Sequence, residues 1–133
     1  METSTAGSVM YRGARVPTRA TLRRYGWAEE RWRGRWDEQG GVCPVCGIAP
    51  RTGRTVLDHE HVRGWKKLTP AERAEYVRGV VCVTCNHFVL TRYLTVRKAL
   101  GAAFYLATYE GRNRLAEFLR GFISELKLGG QPI

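Results

Sequence analysis

Two Cys-x-x-Cys pairs are the residues of this chain whose types and spacing point most directly to chemistry. The first pair is Cys43 and Cys46, and the second is Cys82 and Cys85. Each pair presents two thiolates from one tight turn, and two such turns complete the tetrahedral four-sulfur site that zinc prefers. Four sulfur ligands leave no position for water, so we expect a structural zinc ion and not a catalytic one.

The cysteines also have two other interpretations, a disulfide framework and a redox site. The sequence has no secretory signal pattern and no apolar run long enough to cross a membrane. We therefore expect a soluble, cytoplasmic protein, and thiols in a reducing compartment favour metal over disulfides. No thioredoxin-like βαβ pattern surrounds either Cys-x-x-Cys pair, which speaks against the redox site.

Three further polar residues lie between or beside the cysteines and are not needed to bind zinc. Asp58 and His59 end a predicted strand, and Asn86 directly follows Cys85. Neighbouring strand residues point to opposite faces, which suits different roles. The Asp58 carboxylate and the Asn86 amide are oxygen ligands that suit Mg²⁺ or Mn²⁺, and a neutral His59 imidazole could take a proton from water. The alternative is a local Asp58–His59 hydrogen bond, with Asn86 as a helix cap.

The segment between the cysteine pairs is long enough to contain a structural unit. It has 35 residues, whereas simple paired knuckles are separated by about 15–20. We predict strands at 55–59 and 76–82. A short helix between them begins with the capping box of Thr69 and Glu72, with Pro70 at the first helical position.

Helices are predicted on both sides of this unit. Trp32 and Trp36 lie on one face of the helix predicted at 28–39, so we expect them to pack onto the zinc region, with stacking on nucleic-acid bases as the alternative. The predicted organisation is a flexible tail at 1–17, helices at 18–42, the zinc-bound core at 43–94 and amphipathic helices at 95–133. The fold class is α+β and mostly helical.

The charge of the chain indicates a polyanionic partner. The formal net charge is +10 and the pI is near 10.0, and the positive charge is spread along the whole sequence. Arginine is much commoner than lysine, which suits bidentate phosphate contacts but is also expected of a GC-rich coding sequence. DNA is therefore the expected partner, and a membrane is not.

The cysteines and their neighbours occur in the order of a known family. Gly-Gly-Val-Cys-Pro-Val-Cys-Gly, then Leu-Asp-His-Glu-His, then Val-Arg-Gly-Val-Val-Cys-Val-Thr-Cys-Asn resembles the phage recombination endonuclease VII family. The resemblance extends over roughly Tyr25 to Leu106. It places the chain among the HNH, or ββα-metal, nucleases, in which a zinc-clamped hairpin and helix form the core.

The resemblance implies a role for each site residue. The four cysteines hold structural zinc, Asp58 and Asn86 bind catalytic Mg²⁺ or Mn²⁺, and His59 is the general base. His61 matches a second family histidine that helps to position substrate or metal. The implied reaction is hydrolysis of DNA to a 5′-phosphate and a 3′-hydroxyl, by nicking or by resolution of branched DNA such as Holliday junctions.

Two departures from the family pattern bear on substrate choice. The family hairpin turns soon after Asp-His-x-His, whereas about fifteen residues precede Tyr76 here. The acidic residue that the phage resolvase carries one turn after its Asn is Val89 in this chain, and His87 is a nearby substitute or a surface residue. Both departures leave hydrolysis intact and put junction specificity in question.

Two interpretations remain beside the nuclease. A non-catalytic zinc-knuckle DNA-binding module explains the charge and the cysteines, but gives no reason for Asp58, His59 and Asn86 to occur together. Within the nuclease class, one active site cuts one strand, so double-strand cleavage or junction resolution would need a homodimer, for which the helices after Thr95 offer a surface. The resemblance also suggests a phage or prophage origin.

Overall fold

The computed structural model describes residues 9–128 of this chain. The chain divides into two compact units, Met1–Leu90 and Thr91–Ile133, so the unit boundary lies four residues before the one expected at 94/95. The fold is α+β and about half helical. Its strands are β1 (Met10–Tyr11), β2 (Ala14–Arg15), β3 (Thr55–His59) and β4 (Val77–Cys82). Its helices are α1 (Arg19–Tyr25), α2 (Glu29–Glu38), α3 (Pro70–Ala74), α4 (Val96–Tyr109) and α5 (Asn113–Leu128).

The first described residues form a small hairpin. Strands β1 and β2 pair antiparallel through a turn in which Arg12 and Gly13 both have positive φ, 47° and 83°. Ala14 and Val16 are buried in the main core. The prediction of a flexible tail as far as residue 17 is therefore wrong for this segment. Residues 1–8 of the predicted tail lie outside the described residues.

Local capping signals explain the ends of α1. The Thr18 hydroxyl accepts a hydrogen bond from the Thr21 backbone, and Gly26 closes the helix in the left-handed conformation. Its φ of +70° is one that only glycine adopts at little cost. Helix α1 lies within the range 18–42 in which helices are predicted.

The tryptophans of α2 form the centre of the main core. Trp32 and Trp36 are fully buried, with ring centroids 6.2 Å apart, and share a cluster with Leu57 and Val80. The cysteines belong to a separate cluster around Val81. The tryptophans therefore pack onto the strands of the segment 43–94, as expected, but not onto the cysteines themselves, and their burial excludes stacking on bases.

Strands β3 and β4 form the hairpin that positions the site. They pair antiparallel, with Leu57 opposite Val80, and a bulge follows because Asp58 opposes Gly79 while His59 opposes Val77. The Gln39 side chain at the end of α2 holds the edge of β4, since it donates to and accepts from the Val80 backbone at 2.7 and 3.0 Å. The hairpin is thereby tied to the tryptophan core.

The segment between β3 and β4 folds as a 3₁₀ turn, Trp65–Lys67, followed by α3. Thr69 accepts from the Glu72 backbone and the Glu72 carboxylate accepts from the Thr69 backbone, so the predicted capping box is confirmed.

A single π-helical turn, Cys85–Val89, follows β4. It closes with a hydrogen bond of 2.8 Å from the Leu90 amide to the Cys85 carbonyl. The resemblance implies a helix after the hairpin, and here this helix is only one turn long. Helices α4 and α5, both predicted, form the second unit as a hairpin.

Between residues 9 and 128, none of the helices is both long enough and apolar enough to cross a membrane.

Candidate functional site

The four cysteines converge on one point. Cys43 and Cys46 lie in the loop after α2, Cys82 ends β4, and Cys85 begins the π-helical turn. Their sulfur atoms all lie within 4.8 Å of one another, and the Cys46 and Cys82 sulfurs are 3.9 Å apart. Tetrahedral zinc with bonds near 2.3 Å separates its sulfurs by about 3.8 Å. The cluster therefore fits a metal ion bound by four thiolates.

The protonation chemistry of the cluster also favours a cation. Burial raises the pKa of the Cys43 thiol, but backbone hydrogen bonds at Cys46 and Cys82 outweigh it and lower the pKa to about 7. Burial and the neighbouring thiols raise the pKa of Cys85 far above its usual range. Four thiolates this close together repel one another unless a positive ion lies among them.

Asp58 is buried on one face of the hairpin and is held by an arginine. Its side chain is 6% exposed, and the Arg78 guanidinium donates to both carboxylate oxygens at 2.7 and 3.0 Å. Arg78 is the extra residue of the β4 bulge, and this places it beside Asp58. Each carboxylate oxygen keeps a further lone pair, so the group can still bind a cation.

His59 lies in an aromatic environment. Its ring stacks on Trp65 with a centroid distance of 3.9 Å and an interplanar angle of 14°. The Tyr25 ring is 5.9 Å away and the His61 ring 5.4 Å away, both tilted. The ring of His59 therefore has a defined plane, set by a residue from the segment that joins the strands.

This environment keeps the imidazole uncharged. Burial lowers the pKa of His59, and the nearby His61 ring lowers it further, while the Asp58 carboxylate acts in the opposite direction. A pKa below the ordinary value of about 6.5 leaves the ring neutral at neutral pH. A neutral imidazole is the form that can accept a proton.

The segment that carries Trp65 is anchored to α1. From α3, the Arg73 guanidinium donates to the backbone carbonyls of Trp65, Lys66 and Arg24 at 3.3, 3.1 and 3.3 Å. The same guanidinium lies 5.4 Å from the centre of the Trp65 ring. These contacts hold the segment in one position beside His59.

Asn86 is half-buried in the π-helical turn, directly after a cysteine of the cluster. Within residues 9–128 its amide makes no side-chain hydrogen bond, which leaves it available as a ligand. Leu90, which ends the same turn, lines a groove of about 430 Å³ together with Asp58 and Arg78. His87 and Val89 are exposed, and the His87 ring packs edge-on against Phe88.

The structure thus groups the predicted site residues in three sets. The cysteines form one cluster, His59 and His61 lie together on one side of β3, and Asp58 lies on its other face. Sequence reasoning missed Arg78 as the partner of Asp58, and it missed the contact of Trp65 and Tyr25 with His59. The sequence feature that could have indicated the Trp65 contact is an aromatic residue among basic ones, Trp65 beside Lys66 and Lys67.

Comparison with known proteins gives one match. The family described as Recombination endonuclease VII matches residues 18–109, more than half of the chain. Comparisons with curated proteins and with solved structures found no match. The matched range contains the cysteine cluster, the β3–β4 hairpin and the π-helical turn. The chain therefore belongs to the recombination endonuclease VII family.

Proposed function

We propose that this protein is a metal-dependent DNA endonuclease of the HNH type. One observation carries the proposal: the strand that is joined to the cysteine cluster through its hairpin ends in a buried carboxylate, Asp58, and a neutral imidazole, His59. A metal-binding clamp alone needs neither group. Hydrolysis of a phosphodiester needs both a base and an oxygen ligand for a cation.

His59 is the general base in this proposal. Its ring is uncharged at neutral pH and is fixed by the stack on Trp65, so it can take the proton from the attacking water. Attack in line with the leaving 3′ oxygen gives a 5′-phosphate and a 3′-hydroxyl. His61, exposed and 5.4 Å from His59, is placed to orient the phosphate or the water.

Asp58 and Asn86 are the proposed ligands of Mg²⁺ or Mn²⁺. The carboxylate and amide oxygens match what these cations prefer, and lone pairs remain on both. A bound divalent cation would supply charge stabilisation to the transition state. Arg78 keeps the Asp58 carboxylate oriented and its charge balanced until a cation shares it.

The four cysteines are proposed to hold zinc in a structural role. They join the loop after α2, the end of β4 and the π-helical turn, so the ion fixes the hairpin against the residue that follows Cys85. DNA, duplex or branched, is the proposed substrate, and a homodimer would allow two strands to be cut.

A second candidate function is a non-catalytic zinc-knuckle module that binds DNA. The observation that favours it is the Asp58–Arg78 ion pair, which uses the proposed metal ligand as a structural group. Both functions require zinc and DNA binding. Only the nuclease requires a divalent cation for a chemical step.

The two functions are separated by incubation of the purified protein with supercoiled plasmid, with and without Mg²⁺ or Mn²⁺. We expect nicked circles only when the cation is present, with 5′-phosphate ends. His59→Ala, purified in parallel and matched in zinc content, controls for contaminating nucleases. Plasmid that stays supercoiled at every cation concentration, while gel shifts show binding, would favour the binding module. The cleavage rates on four-way junctions and on linear duplex are then compared to determine the substrate preference.

A further inference from the structure

A groove of about 510 Å³ runs between α1 and β3 and has no role in the proposed chemistry. Three arginines line it: Arg15 from β2, Arg24 from α1, and Arg54 directly before β3. All three are exposed. The rest of the lining is apolar or hydroxyl-bearing.

The charge of this groove is unbalanced. No carboxylate belongs to its lining. Across residues 9–128, none of the three guanidinium groups forms an ion pair or a hydrogen bond through its side chain. The hydroxyls of Thr18, Thr21 and Thr55 add further hydrogen-bonding groups. Phosphate groups are typically bound by guanidinium and hydroxyl donors on a surface that has no carboxylate to repel them.

The groove is continuous with the surroundings of His59. Thr55, Val56 and Leu57 all line the groove, and Thr55 and Leu57 share one face of β3 with His59. Tyr25 also lines the groove, and its ring is 5.9 Å from that of His59.

A second groove on the other side of α1 provides the contrast. It is lined by Arg19 and Arg23, but also by the carboxylate-bearing Glu29, and it contains no residue of β3. Arg23 and Arg24 are adjacent in α1 and equally exposed, yet they line different grooves. The helix therefore offers a matched pair of positions for a test.

We propose that the groove of Arg15, Arg24 and Arg54 binds the backbone phosphates of the DNA strand on one side of the scissile bond. This proposal rests on the proposed function, because His59 defines the scissile position. The groove would hold the strand by its phosphates without reading its sequence. Its part in the reaction is to bind substrate and not to speed the chemical step.

The test compares two double variants that remove the same charge. Arg24→Gln/Arg54→Gln removes two of the three arginines of the groove, and Arg19→Gln/Arg23→Gln removes two arginines from the other side of α1. The dissociation constant for a fixed duplex is measured without divalent cation over a series of salt concentrations. Each lost phosphate contact lowers the slope of log Kd against log salt by about 0.9. We expect the groove variant to lose about 2 units of slope and the control to keep the wild-type slope.

Cleavage kinetics give the second readout. The groove variant should have a higher KM and an unchanged kcat, because the lost contacts hold the substrate equally before and in the transition state. Equal salt slopes for the two double variants would overturn the proposal, even if the wild type cleaves DNA. A protein that cleaves nothing would refute the proposed nuclease, and the groove would then be judged by the binding slopes alone. If the double variant melts below the wild type, Arg24→Gln against Arg23→Gln gives the same comparison, with a difference of about 1 unit.

Discussion

At the scale of single residues, the site is defined by two side-chain pairs on opposite faces of one strand. Asp58 is paired with Arg78, and His59 is stacked on Trp65. The first pair gives a buried carboxylate a charged hydrogen-bond partner. The second fixes the plane of a neutral imidazole. Each pair joins β3 to a residue that lies in or after the long connecting segment.

The Asp58–Arg78 pair should matter for stability more than a surface ion pair does. Arg78→Ala leaves a buried carboxylate without its partner, which we expect to lower the free energy of unfolding by about 2 kcal/mol. Arg33→Ala removes a pair in which both side chains are partly exposed, and should cost no more than about 1 kcal/mol. Urea denaturation of both variants measures the difference. Equal losses would contradict a supporting role for Arg78.

Trp65 should act on catalysis through His59. Trp65→Ala removes the stacking surface, so we expect kcat to fall about 10- to 100-fold with little change in KM, because the base is no longer held in position. Trp65→Phe keeps a flat ring at this position and should recover most of the rate. Single-turnover cleavage over a range of protein concentrations measures the maximal rate and the half-saturating concentration for both variants. A faster reaction in Trp65→Ala would show instead that the indole covers the base.

At the scale of elements, the cysteine cluster connects three segments: the loop after α2, the end of β4 and the π-helical turn. Within the described part of the chain, the cluster around Cys43 and Cys85 includes one other buried side chain, Val81. Packing alone is therefore a weak source of stability there. A metal ion bound by the four cysteines would take the place of a core.

Removal of the metal should therefore loosen the first unit. We expect about one zinc ion per chain in the wild type and less in Cys46→Ser, with chelation exposing buried tryptophans such as Trp32 and Trp36. Metal analysis with tryptophan fluorescence measures this. Unchanged fluorescence after complete metal removal would contradict a structural role for the ion.

The packing of α1 against α3 depends on the absence of a side chain at Gly26. A Cβ at Gly26 would lie 2.2 Å from the Pro70 carbonyl oxygen, whereas one at Gly40 would meet nothing within 4 Å. Both glycines have positive φ, 70° and 74°. Gly40→Ala should cost about 1–2 kcal/mol for its backbone conformation alone. Gly26→Ala should cost about 2–5 kcal/mol, because the helices must also move apart. Denaturant titrations that give equal costs would show that α3 is not packed as described.

The features that could be predicted from the sequence are those coded by local chemistry. Thr18, Gly26 and the Thr69–Glu72 box each mark a helix end through bonds within a few residues. The order of the cysteines was enough to predict their convergence. Hairpin strands of two residues, β1 and β2, are too short to show an alternating pattern, so they were missed.

The unpredicted part of the site depends on tertiary register. Arg78 reaches Asp58 because the bulge falls at that residue, and no local signal fixes a bulge. Trp65 reaches His59 because Arg73 ties the connecting segment to the backbone of α1. These contacts come from how elements pack, which residue types alone do not specify.

At the scale of the whole molecule, charge and family agree on the substrate. The 22 Lys and Arg residues outnumber the 12 Asp and Glu residues, which leaves a net charge of +10, and the chain belongs to a family of recombination endonucleases. An excess of arginine promotes association with DNA of any sequence and makes it sensitive to salt. Affinity alone therefore cannot distinguish a nuclease from a DNA-binding module, and the decisive test must be chemical.

The three histidines allow that test, because the account assigns the general base to one of them. The measurement is the single-turnover rate of DNA cleavage with Mg²⁺ for the wild type, His59→Ala and His87→Ala, all with equal zinc content. His87 is exposed and its ring packs edge-on against Phe88, away from His59, so it serves as the matched control. We predict that His59→Ala lowers the rate by about 10²–10⁴-fold and that His87→Ala stays within a few-fold of the wild type. Cleavage by His59→Ala at the wild-type rate would contradict the account.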